Sequence, residues 1–149
     1  MGNHYHLLVS EKEEGGLGQF LKKLNMGYAK YFNERYDRTG ALFQGKTKKV
    51  LIGRDAHFLW ILLYIHFNPL DFLKGAVDWR TQCLVNSSKA LEYLKDYRWA
   101  SYHDYLGEGE LSPILAGSFM YEDPEAHLKE ARRYLNALAN APLPIASLE

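Results

Sequence analysis

The sequence predicts an α+β fold, because two short segments with strand character accompany several apolar or amphipathic helices. Residues 4–9 alternate with a period of two, so His4, His6 and Leu8 share one face of a predicted strand. Residues 46–52, which are basic at their start and apolar at their end, form a second predicted strand. The helical part of the prediction rests on apolar residues at three- and four-residue spacings elsewhere in the chain.

Four helices follow from these spacings and from residues that start or stop a helix. The first is predicted over 17–36. The second begins near Asp55 and must stop near Asn68, because a proline follows; it is apolar nearly all round and should be buried on most sides. A short helix is predicted over 89–97, and a last one begins at Asp123 as N-cap, with proline at the first helical position.

The composition excludes several classes of protein. The 149 residues are 47% hydrophobic and 24% charged, which excludes a disordered chain. A single cysteine excludes an internal disulfide and a cysteine-based zinc site. The longest apolar stretch, 58–67, is too short to span a bilayer, and the N-terminus lacks the pattern of a signal peptide. We therefore expect a soluble cytoplasmic protein with no membrane partner.

The net charge is zero, yet positive charge is concentrated in one part of the chain. Residues 17–54 contain nine basic and two acidic residues, interleaved with aromatic ones. A site for single-stranded nucleic acid needs cations for phosphates and ring faces for unstacked bases. Two interpretations stay open, a nucleic-acid interface and a solvated helix face that acids elsewhere balance.

Two residue pairs can carry chemistry. His4 and His6 point the same way from a strand and can hold one divalent ion, or they are two polar groups on a solvent face. Tyr64 and Asn68 are neighbours on one helix face; the tyrosine is a core residue or a nucleophile, and the asparagine is a helix stop or an oxygen ligand. If the helix packs over the histidines, the ion gains three protein ligands and the phenol lies one turn away from them.

Several motifs follow one another in about the first 107 residues. They are His4-Tyr5-His6, Tyr31-Phe32-Asn33, residues 38–46, residues 64–69, residues 97–102 and residues 104–107. In this order they resemble the REP-associated single-tyrosine transposases, a branch of the HUH-superfamily nucleases. The sequence departs from that family at Gly2, Lys46, Thr47 and Ala100, which bears on DNA affinity more than on chemistry.

The resemblance implies a ferredoxin-like HUH nuclease fold in residues 1–107 and a helical extension in 108–149. It implies that Tyr64 is the nucleophile of a DNA endonuclease that acts in transposition and recombination of a mobile element. The tyrosine would cut single-stranded DNA near a hairpin, hold the 5′-phosphate covalently and leave a free 3′-hydroxyl. Further tyrosines are reserve candidates for the nucleophile, namely Tyr28, Tyr31 and Tyr36.

The resemblance also implies a cofactor and a DNA interface. His4, His6 and Asn68 would be the ligands of Mg²⁺ or Mn²⁺. The candidate DNA contacts are Lys30, Arg35, Arg38, Gln44, Lys46, Lys48 and Lys49.

The family's histidine strand follows an earlier strand, helix and strand, whereas here it opens the chain. We therefore expect half of the sheet to be missing and a sheet edge to be exposed. Three explanations stay open: a start site placed too late, a decayed remnant, and a homodimer that pairs or exchanges strands through that edge. Three functions stay open as well: an active nuclease, a DNA-binding remnant that no longer cuts, and a helical interaction module whose histidines are incidental.

Other residues are expected to be structural. Trp60 lies one turn before Tyr64 and is expected to support it by packing. His66 is expected to pack or to contact DNA, with packing favoured, and His127 is expected to lie at the surface. The sequence assigns no role to the irregular segment 71–88.

Overall fold

A computed structural model describes residues 4–53, 55–76, 79–80, 86–106 and 124–138. These residues form five α-helices and one 3-10 helix. The α-helices are α1 (Gly16–Arg35), α2 (Asp55–Phe67), α3 (Ser87–Asp96), α4 (Tyr102–Tyr105) and α5 (Pro124–Leu138), and the 3-10 helix covers Asn68–Phe72. None of the described helices combines the length and the apolarity needed to cross a membrane.

The predicted α+β, ferredoxin-like fold is wrong, because the part of the chain that the structure describes contains no β-strand. The segments 4–9 and 46–52 are irregular. A strand persists only when a second strand takes up its backbone hydrogen bonds, and neither segment is paired in this way among the described residues. The exposed sheet edge therefore has no counterpart there, and the homodimer predicted through that edge loses its basis.

The chain divides into two compact units, one of residues 1–6 with 52–149 and the other of residues 7–51. Both division points fall inside the predicted strands, between residues 6 and 7 and between residues 51 and 52. These segments therefore connect units. The boundary expected at residue 107 stays a prediction, because the residues around it lie outside the described ranges.

The unit of residues 7–51 contains one helix. The predicted helix over 17–36 is confirmed as α1, displaced by one residue at each end. Gly15 enters it with a φ of 79° and offers no side chain for capping, and Glu11 compensates by accepting a hydrogen bond from the Leu17 amide at 3.0 Å. The apolar stripe of α1 is largely exposed: Leu21 is buried, whereas Phe20 is 48% exposed.

The other unit is built around α2. The predicted burial of this helix on most sides is confirmed, and the chain passes into the 3-10 helix where Pro69 removes a backbone donor. The helices predicted over 89–97 and from Pro124 are confirmed as α3 and α5. The core packs α2 and the 3-10 helix against α3, α4 and α5. Its fully buried members include Phe67, Leu70, Leu94, Tyr102 and Leu135.

A pair of histidines lies inside this core. His66 is buried as predicted, but the surface position predicted for His127 is wrong, since the two residues are 0% and 1% exposed. Their rings meet edge to face with centroids 5.3 Å apart. Burial is the main cause that lowers the pKa of His66 to about 3 and the pKa of His127 to about 4. The hydroxyl of Ser101 lies 3.0 Å from Nε2 of His66.

Candidate functional site

The structure brings the N-terminal histidines and the α2 tyrosine together, although they lie far apart in the sequence. The ring centroids of His6 and Tyr64 are 5.9 Å apart, and those of His4 and His6 are 5.1 Å apart with the rings perpendicular. All three residues belong to the same compact unit. Three of the four residues predicted for the metal-and-tyrosine site are thus neighbours.

Two tryptophans fix the position of the Tyr64 ring. Trp60 stacks on it with centroids 5.4 Å apart and an interplanar angle of 15°, which confirms the packing role expected for this residue. Trp79 lies on it at 6.0 Å and is itself buried. These contacts leave Tyr64 only 6% exposed. The phenol is therefore held in one orientation by rigid aromatic neighbours.

A guanidinium that the sequence did not single out completes the surroundings of the tyrosine. The Arg80 Cζ atom lies 5.6 Å from the Tyr64 ring centroid and 4.5 Å from that of Trp79. Both carboxylate oxygens of Asp71 accept hydrogen bonds from Arg80, the one between Nη2 and Oδ2 at 3.0 Å. Trp79 Nε1 also donates to Asp71, at 2.8 Å. The hydrogen bonds with Asp71 thus fix the positively charged guanidinium of Arg80 beside the phenol.

Asn68, the predicted third metal ligand, is engaged at both ends of its carboxamide. Its Nδ2 donates to the Tyr64 carbonyl oxygen at 2.9 Å, and its Oδ1 accepts from Arg80 Nη2 at 2.6 Å. The orientation of the amide is determined, because a carbonyl only accepts hydrogen bonds and a guanidinium only donates them. The oxygen expected to face a metal ion therefore faces a protein cation.

Burial and neighbouring positive charge keep His6 neutral at pH 7. Partial burial is the main cause that lowers its pKa below the usual 6.5, and the charges of His4 and Arg80 add to the effect. Burial works against the charge of Arg80 too, but hydrogen bonds and charge interactions with Asp71 and Tyr64 outweigh it and raise the pKa of Arg80. The site thus combines a permanent cation with an imidazole whose lone pair can bind an ion or accept a proton.

The residues present fit the predicted cation only in part. The adjacent imidazoles of His4 and His6 are a donor pair that divalent first-row ions accept. Asn68 as placed does not fit, because its oxygen is bonded to Arg80. In the described part of the chain, no three His, Cys, Asp or Glu side chains are grouped so as to hold a metal ion.

The predicted DNA contacts lie in the unit of residues 7–51, which contains nine basic and five acidic residues. All seven are exposed, namely Lys30, Arg35, Arg38, Gln44, Lys46, Lys48 and Lys49. Lys30 approaches Glu34 at 3.8 Å, and Arg38 lies 5.7 Å from the centroid of the Phe32 ring.

Exposed aromatic rings accompany these cations. Tyr28 contacts Tyr31 and Phe43 with centroid distances of 6.2 and 6.1 Å, and Phe32 contacts Tyr36 at 4.5 Å. The three tyrosines, which are the reserve nucleophile candidates, are exposed. Neither of the histidines predicted to bind metal belongs to this unit, since its boundary lies after His6. These rings therefore suit base stacking better than phosphoryl transfer.

Asp71, Trp79 and Arg80 are the site residues that sequence reasoning missed. They lie in or beside the irregular segment to which no role was assigned, and no spacing rule connects them with α2. The available signal was chemical: Arg80 follows a tryptophan, whose ring face attracts a guanidinium, and Asp71 supplies a carboxylate that a guanidinium can bind with two hydrogen bonds.

Comparison with known proteins gives no relative: no protein-family model, curated protein or solved structure matches the chain. The function is therefore inferred from the chain's own residues.

Proposed function

We propose that this chain is a tyrosine endonuclease of single-stranded DNA, with Tyr64 as the nucleophile, and that it acts as a transposase on hairpin DNA of a mobile element. The observation that carries the proposal is the cluster of His6, Tyr64 and Arg80, with a neutral imidazole and a guanidinium on one phenol ring. A phosphoryl-transfer site needs such a nucleophile beside positive charge, which Arg80 and an ion on the imidazoles would supply. We propose that it acts in the cytoplasm, as the sequence predicts.

The proposed reaction exchanges one phosphoester bond for another. The Tyr64 Oη atom forms a bond to phosphorus, the bond from phosphorus to the 3′-oxygen breaks, and the 5′-phosphate stays on the protein. The phenol proton passes to water, because the one lone pair of a neutral His6 is taken up when it binds an ion, and the leaving 3′-oxygen takes up a proton from water to become a hydroxyl. Arg80 stabilises the negative charge that builds up on the phosphate. Rejoining reverses these steps without an external energy source.

Mg²⁺ or Mn²⁺ enters the proposal through His4 and His6. Bound there, the ion would supply additional positive charge for the phosphate. The neutral state of His6 favours such binding, because a protonated imidazole has no lone pair to donate.

The unit of residues 7–51 supplies the proposed DNA interface. Its exposed lysines and arginines suit phosphates, and its exposed tyrosines suit unstacked bases. Replacing Lys48 and Lys49 by glutamine should reduce the slope of log K against log salt by about 1.4, since each phosphate contact on a single strand contributes about 0.7. The matched control replaces Lys74 and Lys129, which are exposed in the other unit, and should leave the slope unchanged.

Cleavage is tested with a hairpin-containing single strand and Mg²⁺ or Mn²⁺, followed by denaturing electrophoresis. A covalent adduct should carry a label placed at the 3′ end of the DNA and should lack a label placed at the 5′ end, because the protein retains the downstream fragment. Tyr64→Phe should abolish the adduct. Tyr93→Phe, at a partly buried tyrosine that packs against the same core, should retain it.

The absence of any adduct contradicts this proposal, and so do two other outcomes. An adduct that persists in Tyr64→Phe means that another tyrosine is the nucleophile, and Tyr28, Tyr31 and Tyr36 are then the variants to examine. An adduct that carries the 5′-end label means that the protein holds the upstream fragment, and the polarity of cleavage is the reverse of the one proposed.

A DNA-binding remnant that no longer cuts is the second candidate. Two observations favour it: Tyr64 is only 6% exposed, and the Asn68 oxygen is held by Arg80. This hypothesis expects salt-dependent binding of single-stranded DNA without an adduct. A helical interaction module, the third hypothesis, expects neither DNA binding nor Mn²⁺ binding that depends on His4 and His6.

A further inference from the structure

The most constrained polar group outside the predicted set is the Arg80 side chain. Its guanidinium donates to both oxygens of Asp71 and to Oδ1 of Asn68, and it lies against the rings of Tyr64 and Trp79. The side chain is only 21% exposed. An arginine fixed by three oxygen contacts and two rings has little freedom to move, so its charge is a permanent feature of the site.

We propose that Arg80 competes with the divalent cation for Asn68, so that His4 and His6 bind the ion without the carboxamide. This inference rests on the proposed function for the presence of an ion at the histidine pair. It follows from the single oxygen of the Asn68 side chain, which accepts from Arg80 at 2.6 Å while the amide nitrogen is held by the Tyr64 carbonyl. The carboxamide cannot turn toward an ion without breaking both hydrogen bonds.

Arg80 opposes a bound cation in a second way. Its Cζ atom lies 5.6 Å from the Tyr64 ring centroid and the His6 ring lies 5.9 Å from the same centroid, so its positive charge repels positive charge on that imidazole. A divalent ion on the same imidazole would experience the same repulsion with twice the charge. Arg80 is therefore a positioning residue that holds Asn68 and Tyr64 in place and lowers the affinity of the histidine pair for metal.

The test is a Mn²⁺ titration without DNA, with free Mn²⁺ measured by electron paramagnetic resonance. Asn68→Ala should leave the dissociation constant within about twofold of the wild type, because the carboxamide is not a ligand. Arg80→Gln should tighten binding about tenfold, because it removes a positive charge that repels the ion and frees the Asn68 carboxamide to bind it. This tighter binding should vanish when His4 and His6 are replaced by alanine.

A double-mutant cycle sharpens the test. In the Arg80→Gln background the freed carboxamide becomes available, so Asn68→Ala should now weaken Mn²⁺ binding, although it has no effect in the wild type. Arg98→Gln is the matched control, because it removes an equal charge from an exposed arginine that lies 5.2 Å from the centroid of the Trp99 ring. It should not change the affinity.

Arg80→Gln leaves Asp71 without its ion-pair partner, so its fold is checked by circular dichroism. If it does not fold, Asp71→Asn with Arg80→Gln removes both charges and serves as the second variant. If the wild-type protein binds no Mn²⁺ and the Arg80→Gln variant does bind it, the result supports the competition between Arg80 and the ion.

Three results overturn the competition: Asn68→Ala weakens wild-type binding about tenfold or more, Arg80→Gln fails to tighten it, or neither protein binds Mn²⁺. The Mn²⁺ titration contains no DNA, so its result does not depend on cleavage. A missing adduct in the cleavage assay therefore contradicts the nuclease proposal without affecting the titration.

Discussion

Acid should destabilise the protein through the two histidines buried in its core. His66 and His127 have pKa values of about 3 and about 4 in the folded protein, compared with about 6.5 in an unfolded chain. Both stay neutral in the folded protein until the pH approaches 4 and 3, so the unfolded chain binds more protons between about pH 6.5 and those values. Their contribution to stability is therefore fully present above about pH 6.5 and is lost as the pH falls toward 4.

The size of the effect follows from these shifts. At pH 4.5 the unfolded chain gains about 2.5 kcal/mol from protonating His127 and a similar amount from protonating His66, so the free energy of unfolding should fall by about 5 kcal/mol between pH 7.5 and pH 4.5. Small domains have a total stability of about 5–15 kcal/mol. The loss should therefore be visible as a large decrease in the urea midpoint.

Urea denaturation of His127→Phe at both pH values checks the assignment. The phenylalanine ring is similar in width to the imidazole of His127, so it keeps the contacts with Tyr102 and Tyr105, but it takes up no proton. The variant should lose about 2.5 kcal/mol of the pH dependence, half of the wild-type difference. His103→Phe, at a more exposed histidine, is the control. A His127→Phe protein with the full wild-type difference would refute the argument.

Three further changes test the fold itself. Leu94→Ala, at a fully buried position, should lower the free energy of unfolding by about 2–5 kcal/mol in urea titrations, and a loss below about 1 kcal/mol would mean that the core is not closed there. Asn86→Ala removes the side-chain oxygen that accepts from the Lys89 amide at 2.9 Å, so it should cost about 1 kcal/mol, whereas Asn86→Asp should cost little. Trp99→Ser, at an exposed ring, should change the free energy of unfolding by no more than about 0.5 kcal/mol, and a larger loss would indicate a hidden packing role.

Helices were predicted well because their signals are local. The residue that starts α3 or stops α2 lies within a few positions of the helix that it affects. The predicted strands failed because a strand depends on a partner that can lie anywhere in the chain. Alternation over 4–9 is compatible with a sheet, yet among the described residues no second strand pairs with it.

His127 shows how residue type can mislead when position is informative. The residue lies four before Ala131 and eight before Leu135, so it falls on the same face of α5 as these two buried side chains. The surface prediction followed the polarity of histidine. The helical spacing, which predicts burial, was the better guide.

Arg80 could not be connected with Asn68 from the sequence, because irregular chain brings them together. Successive turns, with hydrogen bonds from the Leu73 amide to Leu70 and from the Ala76 amide to Leu73, lead the backbone back toward the end of α2. Gly75 permits this course with a φ of 87°, which a side chain would disfavour. By contrast, the proximity of His6 to Tyr64 was predicted, because in the family that the sequence resembles the histidine pair and the tyrosine belong to one site.

The nuclease and remnant hypotheses differ in what they require of the Tyr64 ring. Attack on phosphorus needs access to one atom, Oη, so the low exposure of the whole residue does not exclude it. The attack also requires a phosphate to approach Arg80, whose guanidinium donates hydrogen bonds to both carboxylate oxygens of Asp71. A phosphate that bonds the guanidinium competes with that carboxylate, and the carboxamide of Asn68 is released if the guanidinium shifts.

Under the nuclease hypothesis, DNA should therefore tighten Mn²⁺ binding more in the wild type than in Arg80→Gln, where the carboxamide is already free. Under the remnant hypothesis, Arg80 stays with Asp71 and Asn68 in the presence of DNA, and the affinity for Mn²⁺ should not change.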